Sequence, residues 1–216
     1  MIPFYDLNQG TEEWFAIRSG IPTGSEFKRF ITPAKGDYAS AADEYAAELV
    51  ASSLGWSKSF KGNSDTDRGN LLEAEAIRWL AFRHGFTGRN VGFCLSDCGW
   101  YGASPDWLMD DGTPVEVKAP DLHTLIKWKL KGELPQDHKV QKHREIFTTG
   151  AKRGIFVAYS ENPYVENMMV EVPRDDFTEK VGACLKRFLI RLKEIQVQMT
   201  GEEAEFLFKS KLPSPC

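Results

Sequence analysis

The chain has little of what would mark a secreted, zinc-bound or membrane-spanning protein. Its four cysteines, at 94, 98, 184 and 216, form no Cys-x-x-Cys, and its four histidines show no paired ligand spacing. Zinc is left without ligands, and the thiols are expected free, in a reducing cytoplasm. No run of about eighteen apolar residues occurs, and the N-terminus has no basic segment ahead of an apolar one, so neither a membrane span nor a secretory leader is expected. A global excess of positive charge is also missing. The formal net charge is -4, so any contact with nucleic acid has to use a local basic surface. With no internal repeat, 216 residues suit one domain, 1–216, with a loosely ordered tail from about residue 200.

The chemistry is concentrated between Gly102 and Pro120. Asp106 follows a proline there, and Glu116 and Lys118 flank one valine. Asp110-Asp111-Gly112 reads as a tight turn, and Val115 to Lys118 alternates as a strand does. Glu116 and Lys118 then share a face about 6.6 Å apart. A neighbouring strand ending near Asp106 would add a second carboxylate, making an oxygen site for a hard cation such as magnesium, with a lysine beside the attacking water. Those parts serve phosphodiester hydrolysis. A lone Glu-x-Lys is commonly a solvated strand face; the Pro-Asp at hairpin distance is what favours the nuclease reading.

Around this hairpin the pattern predicts helices and strands in alternation. Thr11 is expected to cap a short helix carrying Trp14, Ile17 and Arg18, and Ser25 the next one. Arg18, Thr23 and Ser25 could hold a phosphate at that helix start, or be caps beside an exposed arginine. A helix is expected from about 40 to 54, a polar loop from 58 to 68, and a helix from 71 with apolar positions 72, 76, 79, 80 and 82. Glu73 and Glu75 cannot share a face of it, so one of them can look into the cleft. Strands are expected at 90–95, 100–103, 154–159 and 165–172, and helices at 122–130, 135–149 and from 175 or 176 to 199. The apolar stripe of the last helix, 177, 181, 184, 185, 188, 192 and 195, is expected to pack on the sheet. The fold class expected is α/β (α+β), a central mixed β-sheet flanked by helices.

Several ordered motifs together resemble the phage lambda exonuclease family, the YqaJ-like viral recombinases of the PD-(D/E)xK nuclease superfamily. Trp14 to Glu26 is similar to the family's W-x-x-x-R-x-G-x-x-T-x-S-E. Gly69 to Ala76 is similar to its G-x-x-x-E-x-x-A, which selects Glu73. Ser104-Pro105-Asp106 and Glu116-Val117-Lys118 are similar to its S-P-D and E-x-K, and Gln141 to His143 falls where it has Q-x-Q, with His143 in place of the second glutamine.

The resemblance implies a restriction-endonuclease-like core and a magnesium-dependent 5'-to-3' exonuclease on linear double-stranded DNA. Such an enzyme releases mononucleotides and leaves a 3' overhang for recombination. It also implies a homotrimeric ring, a phage single-strand annealing protein as partner, and phage or prophage origin in a bacterial host. Carried over by residue, Asp106, Glu116 and the Val117 carbonyl hold Mg2+, with two ions expected and Mn2+ able to substitute. Lys118 positions water; Glu73, Gln141 and His143 assist. Arg18, Thr23, Ser25 and Ser104 hold the 5' phosphate. The arginine the family carries just after E-x-K is absent, and Lys127 is a candidate replacement. The competing readings are an endonuclease of the same superfamily and a non-catalytic DNA-binding protein.

Overall fold

The computed structural model describes residues 1–56 and 64–201, and for Gly24, Ser25 and residues 64–70 the backbone alone. Ser57, residues 58–63 of the expected polar loop, and the tail from 202 with Cys216, lie outside the described residues. The strands are β1 (Ile2–Phe4), β2 (Gly88–Arg89), β3 (Phe93–Leu95), β4 (Gly102–Ala103), β5 (Trp107–Met109), β6 (Pro114–Lys118), β7 (Arg153–Ala158) and β8 (Met168–Pro173). The helices are α1 (Glu12–Arg18), α2 (Ala42–Ser53), α3 (Ser64–His84), α4 (Leu122–Lys131), α5 (Gln136–Thr149) and α6 (Asp176–Thr200), with a short 3-10 helix at Gly24–Arg29. Five strands form a mixed sheet in the order β2-β5-β6-β7-β8, and β1-β3-β4 make a second, antiparallel one.

The hairpin that carries Asp106, Glu116 and Lys118 forms as its turn chemistry requires. Gly112 adopts φ 81°, the left-handed region a side chain disfavours, and the Asp111 carboxylate accepts from the Thr113 N–H at 2.9 Å, closing an Asx turn. β5 pairs with β6 antiparallel, whereas β6 pairs with β7 in parallel, Val115 to Lys118 opposite Ile155 to Ala158. Parallel neighbours need a long crossover. α4 and α5 provide it.

Each face of the sheet is covered. Ala76 and Leu80 of α3 pack on Trp107, Met109, Val115, Val117, Ile155 and Val157. On the opposite face Leu125 of α4 meets Phe156, Ala158 and Met168. The largest apolar cluster lies beside the sheet, where Phe30 stacks on Phe188 at 4.2 Å and α2 meets α6.

Four expectations change. α3 starts at Ser64, so part of the expected loop is helix. Phe82 is 93% exposed and takes no part in the stripe of α3. The stripe of α6 packs on α2 and α5, not on the sheet, and the Cβ of any residue at Gly182 would fall 2.1 Å from the Phe147 ring of α5. Thr23, not Ser25, occupies the cap position of the 3-10 helix, without a side-chain capping bond; the Ser25 side chain lies outside the described residues.

Candidate active site

The acidic groups meet where β5 begins and β6 runs on. Asp106 immediately precedes β5, donates its N–H to the Val115 carbonyl at 3.1 Å, and accepts the Val117 N–H on Oδ2 at 2.6 Å. In a strand the N–H and C=O of one residue point the same way, so the Val117 carbonyl opens toward Asp106, past the last β5 pair. Glu116 and Lys118 project from the face covered by α5. They form an ion pair through Glu116 Oε1, and Gln141 of α5 donates to the same oxygen at 2.5 Å.

Glu73 reaches this place from α3, one turn ahead of the Ala76 contact that docks the helix. It lines a cavity of about 320 Å³ with Asp106, Gln9, Asn90 and Gly92. Glu75 turns elsewhere and accepts from the Tyr159 hydroxyl at 3.4 Å. Helix docking therefore selects Glu73 for the cleft.

Charge in the cluster is crowded. Burial, then the Glu116 charge, pushes Glu73 up to about 7, and the same causes hold Asp106 well above the usual carboxylate range. Burial also works to raise Glu116, but Lys118, Glu145 and Lys142 outweigh it, and Glu116 stays below its ordinary value. Burial opposes the Lys118 charge; Glu116 and Asp106 more than offset it, so the ammonium is held firmly. Carboxylates that raise one another's pKa at an oxygen-only site fit a hard divalent cation, which relieves the repulsion. Among the described residues no three His, Cys, Asp or Glu side chains make a metal cage by themselves. The oxygen set is two carboxylates and a main-chain carbonyl, a number suited to magnesium, which keeps several waters.

Behind Glu116 lies a layer the sequence did not disclose. Lys142 and Glu145 are sealed from solvent and paired at 2.9 Å, and Lys142 also donates to the Pro114 carbonyl at 2.8 Å. Burial above all pushes Glu145 up to about 7, and the Glu116 charge adds to the rise. Arg144, equally buried, donates to the Gly102 carbonyl at 2.5 Å.

His143 does not join the carboxylates. Its Nδ1 lies 2.8 Å from Thr178 Oγ1 and 3.5 Å from Asp175, at the start of α6, with the ring against Phe177. Two residues along a helix is about 200° around it, so a neighbour of Gln141 at that offset turns away from the strand. The expectation that His143 assists the reaction is corrected accordingly.

The N-terminal loop builds a separate polar corner. The Arg18 guanidinium lies 3.6 Å over the Trp14 ring and donates to Thr23 Oγ1 at 2.8 Å; the Trp14 indole donates to the Gly92 carbonyl at 2.8 Å, tying the loop to the wall of the cavity. The Thr23 N–H donates to the buried Tyr45 hydroxyl at 3.3 Å. Ser104 Oγ is buried without a hydrogen-bond partner. Lys127 is exposed on α4.

Residues 13–152 match the YqaJ-like viral recombinase domain. The chain belongs to that family. None of the curated proteins matches it. Among solved structures it is similar to the alkaline exonuclease LHK-Exo of Laribacter hongkongensis, at 27% identity and a TM-score of 0.70, over 88% of this chain and 99% of that one. The complex of LHK-Exo with dAMP gives 26% identity, a TM-score of 0.70 and the same coverage. A phage-related exonuclease from Haemophilus somnus 129PT shares 15% identity with a TM-score of 0.61, over 82% of this chain and 95% of that one, a likeness of fold. The family's fold, a mixed five-stranded sheet flanked by helices, is the one described above.

Proposed function

We propose that this protein is a magnesium-dependent 5'-to-3' exonuclease of linear double-stranded DNA, releasing 5' mononucleotides and leaving a 3' strand for annealing-type recombination. The observation that carries the reading is the convergence of Asp106, Glu116, Lys118, Glu73 and Gln141 at one strand end. Its relationship to an alkaline exonuclease and the capture of dAMP by that relative support it. Magnesium bound by Asp106, Glu116 and the Val117 carbonyl, as one ion or two and with Mn2+ able to substitute, would supply Lewis acidity toward the scissile phosphate. Lys118 holds a water in line for attack and stabilises the charge that develops. Gln141 and Lys118 fix the Glu116 carboxylate by donating to its Oε1, and Glu73 takes a proton from the attacking water while the departing 3' oxygen is protonated from solvent. Arg18, Thr23, Ser25 and Ser104 receive the 5' phosphate. A homotrimer encircling the duplex, a single-strand annealing partner and a place in the cytoplasm of a phage-bearing bacterium complete the reading.

The test is incubation with Mg2+ and three duplexes of one sequence: linear with 5' phosphates, linear with 5' hydroxyls, and covalently closed. The expected result is digestion of linear DNA only, fastest with the phosphate. Cutting of the closed circle would identify an endonuclease, and binding of every form without cutting would identify a non-catalytic DNA-binding protein.

A further inference from the structure

Two neighbouring side chains tie α5 to β6. Gln141 donates to Glu116 Oε1, and Lys142 donates to the Pro114 carbonyl at 2.8 Å. The two acceptors belong to strand positions two apart, about 6.6 Å along β6. Bonds at both points fix where the helix lies along the strand and how it is turned.

Room for Lys142 is built into the sheet. A Cβ at Gly154 of β7 would fall 2.6 Å from Lys142 Cε, so glycine at that position admits the lysine stem. The ammonium is sealed from solvent, with Glu145 as its counter-charge at 2.9 Å. Such a pair is weak evidence for stability, because apolar side chains of the same volume commonly serve as well. An apolar side chain cannot bond the Pro114 carbonyl, however, and that bond is what sets α5 against β6. Glu116 depends on the setting. Its Oε1 receives Gln141 and Lys118, while Oε2 is buried with no hydrogen-bond partner among the described residues. Donors on one oxygen orient the carboxylate and so aim the other.

We propose that Lys142 is a positioning residue, whose bond to the Pro114 carbonyl seats α5 so that Gln141 meets Glu116 Oε1 and Oε2 stays bare. That the bare oxygen takes a divalent cation rests on the proposed function. The placement of Gln141 by Lys142 does not.

The experiment compares the full chain with Lys142→Met and with Lys142→Met combined with Glu145→Leu, each also made together with Gln141→Ala. The paired replacement removes both buried charges and refills their space, which keeps the chain folded should Lys142→Met alone not fold. In metal-free protein the Gln141 side-chain amide resonance reports its bond to Glu116, and it is expected to move toward that of a free amide in both Lys142 variants. Mn2+ affinity, read by electron paramagnetic resonance, should weaken by about tenfold or more, as when a group orienting a metal-binding carboxylate is removed. In the Gln141→Ala background the same replacements should add less than about twofold, because a residue that acts through Gln141 has nothing left to place. An unmoved Gln141 amide, or an equal loss of Mn2+ affinity with and without Gln141, overturns the proposal. So does full recovery of affinity when Glu145→Leu is added to Lys142→Met, which would assign the loss to an uncovered Glu145 charge. An amide that moves as expected in a chain that binds no Mn2+ would refute the metal site of the proposed function while leaving the placement of Gln141 standing.

Discussion

Replacing Glu73 by Gln should stabilise the metal-free protein at neutral and alkaline pH. Glu73 is pushed from its ordinary 4.5 up to about 7 by burial and by Glu116. A carboxyl raised in the folded state is protonated below the unfolded value, so its share of stability is complete below about 4.5. That share is lost as pH rises through about 7. At about 1.4 kcal/mol for each pKa unit, the difference is about 3.5 kcal/mol; partial exposure of Glu73 screens it to about 1–2 kcal/mol. The assay is urea denaturation in EDTA at several pH values from 5 to 8.5. Glu73→Gln should match the wild type near pH 5 and exceed it by about 1–2 kcal/mol at pH 8, with magnesium narrowing the gap because the cation relieves the same repulsion. A variant no more stable than wild type at pH 8 would refute the argument that Glu73 is crowded by its neighbours.

Lys118→Ala should lower turnover by about 100-fold or more while DNA binding, followed by fluorescence anisotropy, changes little; retained turnover would remove Lys118 from the mechanism. Arg18→Ala should equalise the digestion rates of 5'-phosphorylated and 5'-hydroxyl duplexes, and an unchanged ratio would show that the phosphate is held elsewhere. Lys142→Met strands the Glu145 carboxyl and should cost about 3 kcal/mol in denaturant unfolding, with a loss below 1 kcal/mol showing that the buried pair is not coupled to stability. His143→Gln should keep turnover within about threefold because the ring faces Thr178 and not the carboxylates; its effect belongs in stability, at about 1 kcal/mol for the lost bond.

The hairpin of the site was legible because its information is local. A strand period of two places Glu116 and Lys118 together, and Asp111-Gly112 dictates the turn that returns the chain to Asp106. Glu73 against Glu75 was different: helical phase says only that they diverge. Which one faces the cleft is settled by how Ala76 and Leu80 dock α3 on the sheet, a tertiary fact that the family motif carried and periodicity did not.

The helix after the hairpin was the least legible. α5 is wedged among the sheet, α6 and the 3-10 helix, so residues 142 to 146 are buried in succession. A helix enclosed on several sides has no polar stripe to mark its solvent face, and nothing in the spacing of Lys142, Arg144 and Glu145 marks them as the buried layer under Glu116. His143 was drawn toward the site by its place in a motif, whereas the backbone turns it to the capping box of α6, where Asp175 accepts from the Thr178 N–H at 3.1 Å. The small sheet of β1, β3 and β4 was half legible. Phe93 to Leu95 and Gly102 to Ala103 fell inside expected strands, and β1, at three residues, was too short to carry a period.

The central claim is that the cluster at Asp106, Glu116 and Lys118 removes nucleotides from the 5' end of a duplex. It is tested most directly by a single-turnover experiment with magnesium on a linear, 5'-phosphorylated duplex labelled in separate preparations at the 5' and the 3' end of one strand, with Asp106→Asn as control. Early release of the 5' label as a mononucleotide, with the 3' label retained and no release by Asp106→Asn, is the result expected. Release of the 3' label first, or undiminished release by Asp106→Asn, would contradict the account.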